Sequence, residues 1–272
     1  MDNIKYFITV SETLNITRAS EIIGISQPAL SYAIKKLELE LGGALLIRLK
    51  NGIQLTKLGE EFLKRSRRLL YEWEQVEILS NADSDFIQGS YTFALHPSVA
   101  LYTVEHFVPQ LQAQFPRLDL NFIHGLSREM TEKVISWEAD FGIVVNPIKH
   151  PDLVIIKLCT DEISIFHAEN AQDKLIYDPN LAQSQHILNK LHKKSNFSGV
   201  LRSANIEVVA KLTSLGIGYG ILPTRVALRY PHLKKIKEAP LFKDEVSLVY
   251  RPEKHNNSLS KKIIQIIKGS KF

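Results

Sequence analysis

One cysteine, Cys159, is all that the 272 residues contain, and that scarcity excludes an internal disulfide framework and any cysteine-based zinc site. A reducing compartment, the cytoplasm, is the expected location. No apolar run approaches the ~20 residues needed to cross a bilayer. The first residues, with Asp2 and no basic flank ahead of an apolar stretch, carry no secretory pattern. Neither sign of charge dominates, because 34 Lys and Arg stand against 29 Asp and Glu for a formal net charge of +5. The mild excess suits a phosphate-bearing partner without selecting one, since many enzymes are equally basic. Constellations for catalysis are missing too. His96, His124 and His150 lack metal-ligand spacing, Cys159 has no evident base, and Gly216, Gly218 and Gly220 lack the spacing of a dinucleotide loop. The expectation is a chain that is not an enzyme and needs no metal or cofactor.

What is present begins with ordinary globular composition, 44% hydrophobic and 23% charged, over a length that allows a small domain followed by a two-lobed one. Ile4, Phe7, Ile8 and Val10 fall on one face of a first helix that Asp2 can cap. Thr17 can cap a second helix with Ala19, Ile22 and Ile23 inward, ended by Gly24. Ser26 can cap a third almost at once, with Pro28 in its first turn, where a missing N–H costs nothing. Leu30, Ile34, Leu37 and Leu41 then recur at helical spacing and predict a buried arc.

The opposite arc of that third helix carries Gln27, Pro28, Ser31, Tyr32, Lys35 and Lys36, a set able to hydrogen-bond base edges and neutralise phosphates. Such polarity also suits an ordinary solvated face, so the next segment decides. Leu45, Leu46, Ile47 and Arg48, then Asn51 and Gly52, then Ile53 and Leu55, form a hairpin signature around an Asn-Gly turn. A hairpin there is a wing, with Arg48 and Lys50 near a nucleic-acid backbone.

Thr17, Arg18 and Ala19, then Ser26 to Ser31, Leu37 and Glu38, Leu41 and Gly42, Arg48, and Leu55, Thr56 and Gly59 match a known pattern in order. Over Met1 to Phe62 the chain resembles the LysR-type transcriptional regulators. Two departures stand out: Tyr32 where the family often has arginine, with altered base preference or weaker phosphate contact as the expected consequence, and Ile47 where it often has phenylalanine. With the resemblance, the residues expected against double-stranded DNA are Thr17, Arg18, Ser26, Gln27, Pro28, Ser31, Tyr32, Lys35, Lys36, Arg48 and Lys50.

Thr56 can cap a long helix whose Leu58, Phe62, Leu69, Trp73 and Val76 make a seam that a lone helix cannot bury. Pairing with a second chain is preferred over packing on its own domain, because the sequence next turns toward strands. The resemblance implies the same: a homodimer through this helix, assembling further into a dimer of dimers. Lys64, Arg65, Arg67 and Arg68 read as a solvated helical face.

A polar stretch over 83–90 marks a linker, after which strands and helices alternate. Tyr91 to Leu95, Leu118 to Phe122 and Phe141 to Val145 read as strands. The helical stretches between them run through Val104 to Leu111 and from Ser127 to Trp137. That alternation predicts a parallel sheet covered by helices. Glu162 to Phe166 and Gly199 to Ser203 begin a second lobe, with a helix over Ile206 to Leu215, and the stretch between Phe166 and Phe197 looks abbreviated.

This part resembles the family's effector-binding domain on Phe115 and Pro116, Asp140 to Ile143, Ser203, and Leu215 to Pro223. The resemblance implies two α/β lobes like those of periplasmic solute-binding proteins, with crossings near Cys159 and Leu241. The expected fold is an N-terminal winged helix-turn-helix (1–57), a linker and dimerisation helix with hinge (58–88), and a two-lobed α/β effector domain (89–272). Lobe I takes about 89–160 and 241–272, lobe II about 161–240.

Ligands collect at strand carboxyl ends, where helix N-termini present unpaired N–H groups and favour anions. Ser98, Val99 and Ser127 in lobe I, with Arg202, Ser203 and Asn205 in lobe II, are the expected contacts of a small, anionic effector. Each serine alone reads equally as a helix cap. Alternatives for the C-terminal part are a lobe pair that has lost sensing, or a solute-binding or enzyme module.

Overall fold

The computed structural model describes residues 1–49, 52–80, 89–191 and 197–272. Lys50, Asn51 and most of the 83–90 linker therefore lie outside the described residues. Two compact units emerge, one mainly of the residues up to the long helix and one mainly of those from the following strand onward.

The first unit runs α1 (Asp2–Thr13), α2 (Ile16–Ile23), α3 (Gln27–Leu41), β1 (Leu46–Leu49), β2 (Gly52–Leu55) and α4 (Lys57–Ser80). β1 and β2 pair antiparallel, with Leu46 opposite Leu55 and Leu49 opposite Gly52, so the wing forms as the sequence suggests. Phe7, Val10, Ala19, Leu30 and Leu45 are wholly buried at its centre.

The caps differ in part from expectation. Asp2 is the first residue of α1 rather than its cap, and there its charge complements the positive helix end. α2 is capped by Asn15, whose Oδ1 accepts the Arg18 N–H at 3.1 Å, and Thr17 is left inside the helix. The cause is Leu14, which ends α1 in the left-handed region at φ 48° and brings Asn15 to the helix start. Ser26 caps α3 as expected, its Oγ accepting the Ala29 N–H.

Two apolar residues of the predicted arcs are outside the core. Ile22 is 63% exposed because the short α2 buries only the side bearing Ile16 and Ala19, and Leu41 is 41% exposed at the last position of α3, past the core's edge. Ala33, Ile34 and Leu37 fill the inward face of α3 instead. Glu38, on the same helix, accepts the N–H groups of Leu45 and Leu46 at 2.8 and 3.2 Å, which fixes the start of the wing to α3. Thr56 Oγ accepts the Gly59 N–H at 2.9 Å and donates to the Ala44 carbonyl at 2.7 Å, capping α4 and tying it to the wing.

The second unit contains β3 (Gly89–Leu95), α5 (Pro97–Gln114), β4 (Leu118–His124), α6 (Ser127–Ile135), β5 (Phe141–Val145) and β6 (Val154–His167), followed by β7 (Lys174–Tyr177), α7 (Ala182–Leu191), β8 (Gly199–Arg202) and α8 (Ile206–Ser214). It closes with β9 (Tyr219–Pro223), α9 (Thr224–Ala227), β10 (Lys234–Lys235), β11 (Phe242–Tyr250) and α10 (Ser258–Gly269). Strand order is β4-β3-β5-β11-β6-β9-β7-β8, with the short β10 pairing β6. β3 is parallel to β4 and to β5, and β7 is parallel to β8 and to β9, so each lobe has the predicted α/β character.

Two strands are shared by the lobes. β6, of 14 residues, and β11 run antiparallel from one lobe into the other. Their register slips between Val246 and Ser247, next to Cys159, and a bulge of this kind bends and twists the pair where the lobes meet. The region between Phe166 and Phe197 is fuller than expected, because β7 and α7 occupy it. Apolar clusters centred on Phe93, Phe107 and Phe141 in lobe I, and on Ile176, Val209 and Leu222 in lobe II, hold the two halves. α10, unforeseen from the sequence, buries Ile263 and Ile267 against the lobe I cluster. Asp140 and Lys254 form a buried tie, the carboxylate also accepting the Thr92 N–H at 2.7 Å.

Glycines around residue 218 serve packing. A Cβ on Gly220 would lie 2.0 Å from Thr213 Oγ1 on α8, and one on Gly218 would lie 2.4 Å from the Lys174 carbonyl oxygen. Helix and strand could not approach so closely with any side chain there.

Candidate functional site

Two regions are candidate sites, one in each unit. In the first, α2 ends at Gly24 with φ 79° and α3 begins at Gln27, a turn tight enough to cross two helices. Thr17, Arg18, Ser26, Gln27, Pro28, Tyr32, Lys35, Lys36 and Arg48 are all exposed, and Ser31 is half-buried. Tyr32 is 72% exposed, so its ring is not core material. Lys50 lies outside the described residues.

Neighbouring basic residues differ. Arg65 makes an exposed pair with Glu61 at 2.8 Å, whereas Arg67, expected on a solvated face, is largely buried and paired with Glu12 at 3.2 Å and Glu138 at 2.9 Å. Along α4, Leu58, Leu69, Trp73 and Val76 are 43 to 54% exposed. At 100° per residue these four fall within roughly 60° of one another, a single apolar stripe. Phe62 instead packs against the winged-helix core, where its ring meets Phe7 at 5.2 Å.

The second region is a cavity of about 500 Å³ between the lobes. Its walls are largely aliphatic, and polar groups enter from strand ends and from the shared strands. Ser98 sits at the start of α5, after His96, whose Nδ1 accepts the Ser98 N–H at 3.3 Å. The Ser98 side-chain oxygen is buried and has no hydrogen-bond partner. Val99 lines the cavity beside it. Ser127 opens α6, and its Oγ accepts the Val145 N–H at 3.0 Å, joining that helix to the end of β5.

The lobe II residues expected here are elsewhere. Arg202 donates from Nε to the Tyr177 hydroxyl at 3.1 Å, and its guanidinium lies over that ring at 5.7 Å. Ser203 and Asn205 spend their polar atoms on a local turn and on capping α8, the Asn205 Oδ1 accepting N–H groups of Glu207 and Val208. None of the three lines the cavity, whereas Ile206, the first residue of α8, does. Local side-chain-to-backbone bonding at a helix start has won over pointing into the cleft.

What the sequence reading missed is the acidic wall. Asp161 on β6 and Asp244 on β11 are direct partners across the antiparallel ladder, and both line the cavity at 6% exposure. Asp161 Oδ1 accepts the Glu162 N–H at 2.8 Å and Oδ2 has no partner. Asp244 accepts from the Asn146 amide at 2.6 Å and the Gln183 amide at 3.1 Å. Burial pushes the Asp161 carboxyl up to about 6 and Asp244 also raises it, while backbone N–H groups and the charge of Arg225 pull the other way. Burial likewise raises Asp244.

His96 is held below its ordinary value, chiefly by burial, and is neutral at pH 7. Asn146 takes the left-handed region at φ 48°, which asparagine tolerates, and so turns its amide onto Asp244. Its place just after a strand end was a legible signal. Asp161 and Asp244, inside strands, gave none.

Cys159 stands at the crossing, half-buried, its thiol pushed up by burial. A thiol so held is a poor nucleophile. Among the described residues no group of three His, Cys, Asp or Glu side chains could hold a metal ion, and no helix is long and apolar enough to cross a membrane.

Residues 1–60 match the family described as bacterial regulatory helix-turn-helix protein, lysR family, and residues 84–270 match the LysR substrate binding domain. The regulator CysL of Bacillus subtilis is 31% identical over 164 residues, a match that spans 60% of this chain and 55% of CysL. Full-length OxyR from Pseudomonas aeruginosa superimposes with a TM-score of 0.71 at 18% identity, covering 98% of this chain and 92% of that one. Full-length LysG from Corynebacterium glutamicum, solved with bound effector Arg, has a TM-score of 0.67 at 13% identity, covering 98% of each chain. At these identities the two structures speak to the fold alone.

Proposed function

The chain belongs to the LysR family of bacterial transcription regulators, and from that premise we propose that it reads duplex DNA with α3 and its wing and is controlled by a small molecule in the interlobe cavity. The family's members are regulators and not enzymes, and they combine a DNA-binding helix-turn-helix with an effector-binding domain. One observation carries the proposal for this chain. The outward face of α3 bears Gln27, Tyr32, Lys35 and Lys36, all exposed, on a helix whose other face is anchored by Leu30, Ile34 and Leu37. Gln27 at the N-terminal end suits a base edge, and Lys35 and Lys36 suit phosphates.

Two such heads are needed to read two half-sites, and the exposed stripe of Leu58, Leu69, Trp73 and Val76 supplies the surface for pairing α4 with a second copy. The cavity takes a ligand between lobes that share two strands with a bulge at their crossing. A ligand that favours one lobe arrangement biases the spacing of the DNA-reading heads, provided its affinity differs between the two states.

The test is a gel shift with DNA from upstream of the chain's own gene. Wild-type protein retains it at physiological salt, and Lys35→Ala weakens binding at least several-fold with a salt slope smaller by about 1. Unchanged affinity in that variant removes α3 from the interface.

A further inference from the structure

The acidic wall of the cavity bears on what the cavity holds. Two carboxylates directly opposite on neighbouring strands repel, and burial removes the water that would screen them. A pair in that position is ordinarily matched by a nearby cation. Here no ion pair among the described residues reaches either aspartate. The guanidinium of Arg225, whose charge Asp161 feels, donates to the Phe272 carbonyl oxygen at 3.2 Å and lies over the Tyr102 ring at 5.5 Å, so only its backbone N–H meets the carboxylate. Arg128, which also borders the cavity, is paired with Glu132 at 3.3 Å and is largely exposed. Asp244 has only the neutral amides of Asn146 and Gln183.

Two further atoms are left over in the same space. Asp161 Oδ2 and Ser98 Oγ are buried, lack hydrogen-bond partners and belong to residues that line the cavity, from β6 and from the start of α5 respectively. Buried polar groups without partners are rare in a folded chain and call for an explanation, and these two belong to residues of one cavity wall. Most of the remaining exposed wall is apolar, with Val99, Ile163, Ile206 and Val246 among its residues, and His96, Ser127 and Asn180 interrupt it.

We propose that the effector is an organic ammonium ion with an apolar body, its N–H groups received by Asp161 and Asp244 with Ser98 as the third acceptor. This rests on the cavity being the effector site, and it replaces the anion expected from helix N-termini. A protonated amine offers up to three donors and one positive charge, which meets both carboxylates and the serine oxygen at once. A metal ion is the weaker fit, since no third acidic, His or Cys ligand joins the pair among the described residues. Burial is the main cause of the upward displacement of both carboxyls, and a bound cation would offset that cost.

Thermal unfolding of the full-length chain with four probes of similar size tests it: n-hexylamine, 1-hexanol, hexanoate and norleucine. The proteins are wild type, Asp161→Asn, and Ala182→Trp, which fills the cavity from an exposed lining position. Hexylamine is expected to raise the wild-type midpoint by roughly 3 °C at ten times its Kd. Hexanol and hexanoate are expected to do nothing, and the shift is lost in both variants. A shift with norleucine that Asp161→Asn removes also supports the proposal and adds a carboxylate to the ligand. If hexanoate stabilises, and only Ala182→Trp abolishes its effect, the cavity holds and the ammonium ion does not. If no probe stabilises, or a shift persists in Ala182→Trp, the cavity reading itself falls and takes the proposal with it.

Discussion

Replacing Asp161 with asparagine is expected to make the protein more stable, by an amount that depends on pH. The folded chain holds the Asp161 proton more tightly than the unfolded one, since the group moves from an ordinary 3.8 up to about 6. Its ionisation therefore opposes folding: stability is lost as pH rises from the unfolded value through about 6. A displacement of roughly 2 units corresponds to about 3 kcal/mol fully developed above pH 7, and to roughly half of that at pH 5. Asparagine keeps the Oδ1 that accepts the Glu162 N–H, and it places a neutral amide where Oδ2 has no partner. Other charges near the group, Asp244 and Arg225, are unchanged by the substitution. Urea unfolding of the full-length chain at pH 8 and pH 5, following the transition of the second unit, gives the measurement. Asp161→Asn is expected to gain about 3 kcal/mol at pH 8 and about 1.5 kcal/mol at pH 5. A variant no more stable than wild type at pH 8, or a gain that fails to shrink at pH 5, refutes the reasoning. A residue that costs stability in the empty protein fits a binding site rather than a core.

Asp244→Asn is expected to gain less than Asp161→Asn in the same urea assay, because both Asp244 oxygens already accept from amides and an asparagine N–H would oppose one of them. Trp73→Glu is expected to shift the sedimentation of micromolar protein from dimer to monomer, since it sets a charge in the exposed apolar stripe of α4; an unaltered dimer removes α4 from the interface. Gly59→Ala is expected to cost about 2 kcal/mol or more on denaturant titration, because its Cβ would lie 2.1 Å from the Leu45 carbonyl oxygen, a clash larger than the ~1 kcal/mol an alanine gains in a helix. Ser203→Ala is expected to leave a ligand-induced rise in midpoint intact, whereas Ser98→Ala reduces it; equal loss in both would move the ligand toward α8.

The helix-turn-helix unit was largely legible because its instructions are local. Ser26, Pro28 and Gly42 bound α3, and Leu30, Ile34 and Leu37 say which side faces in, within one helix. Where the reading slipped, the cause was a neighbour: Leu14 turning left-handed makes Asn15 the cap in place of Thr17, and the shortness of α2 leaves Ile22 outside. Lobe I strands were legible from alternation and from the apolar run Phe141 to Val145. β7, α7 and α10 were not, because their apolar residues are few or unaccompanied by clear stops.

Ligand chemistry was the part least visible in the order of residues. Ser98 and Ser127 stand at strand ends, where a general rule points, and the fold brings both to the cavity. The same rule misplaced Arg202, Ser203 and Asn205, whose polar atoms are used within their own turn and by Tyr177. Asp161 and Asp244 are far apart along the chain, and each alone reads as a polar residue in a strand.

By itself the sequence determined the helix-turn-helix, its wing, the apolar stripe of α4 and the alternation that makes two α/β lobes, because periodicity, caps and turn residues act over a few positions. Tertiary structure alone decided that β6 and β11 run side by side through both lobes, and so set two carboxylates opposite each other in one cavity. Charge sign in a cleft is a sum over residues that the backbone brings together from distant places, and no short stretch of chain contains that sum.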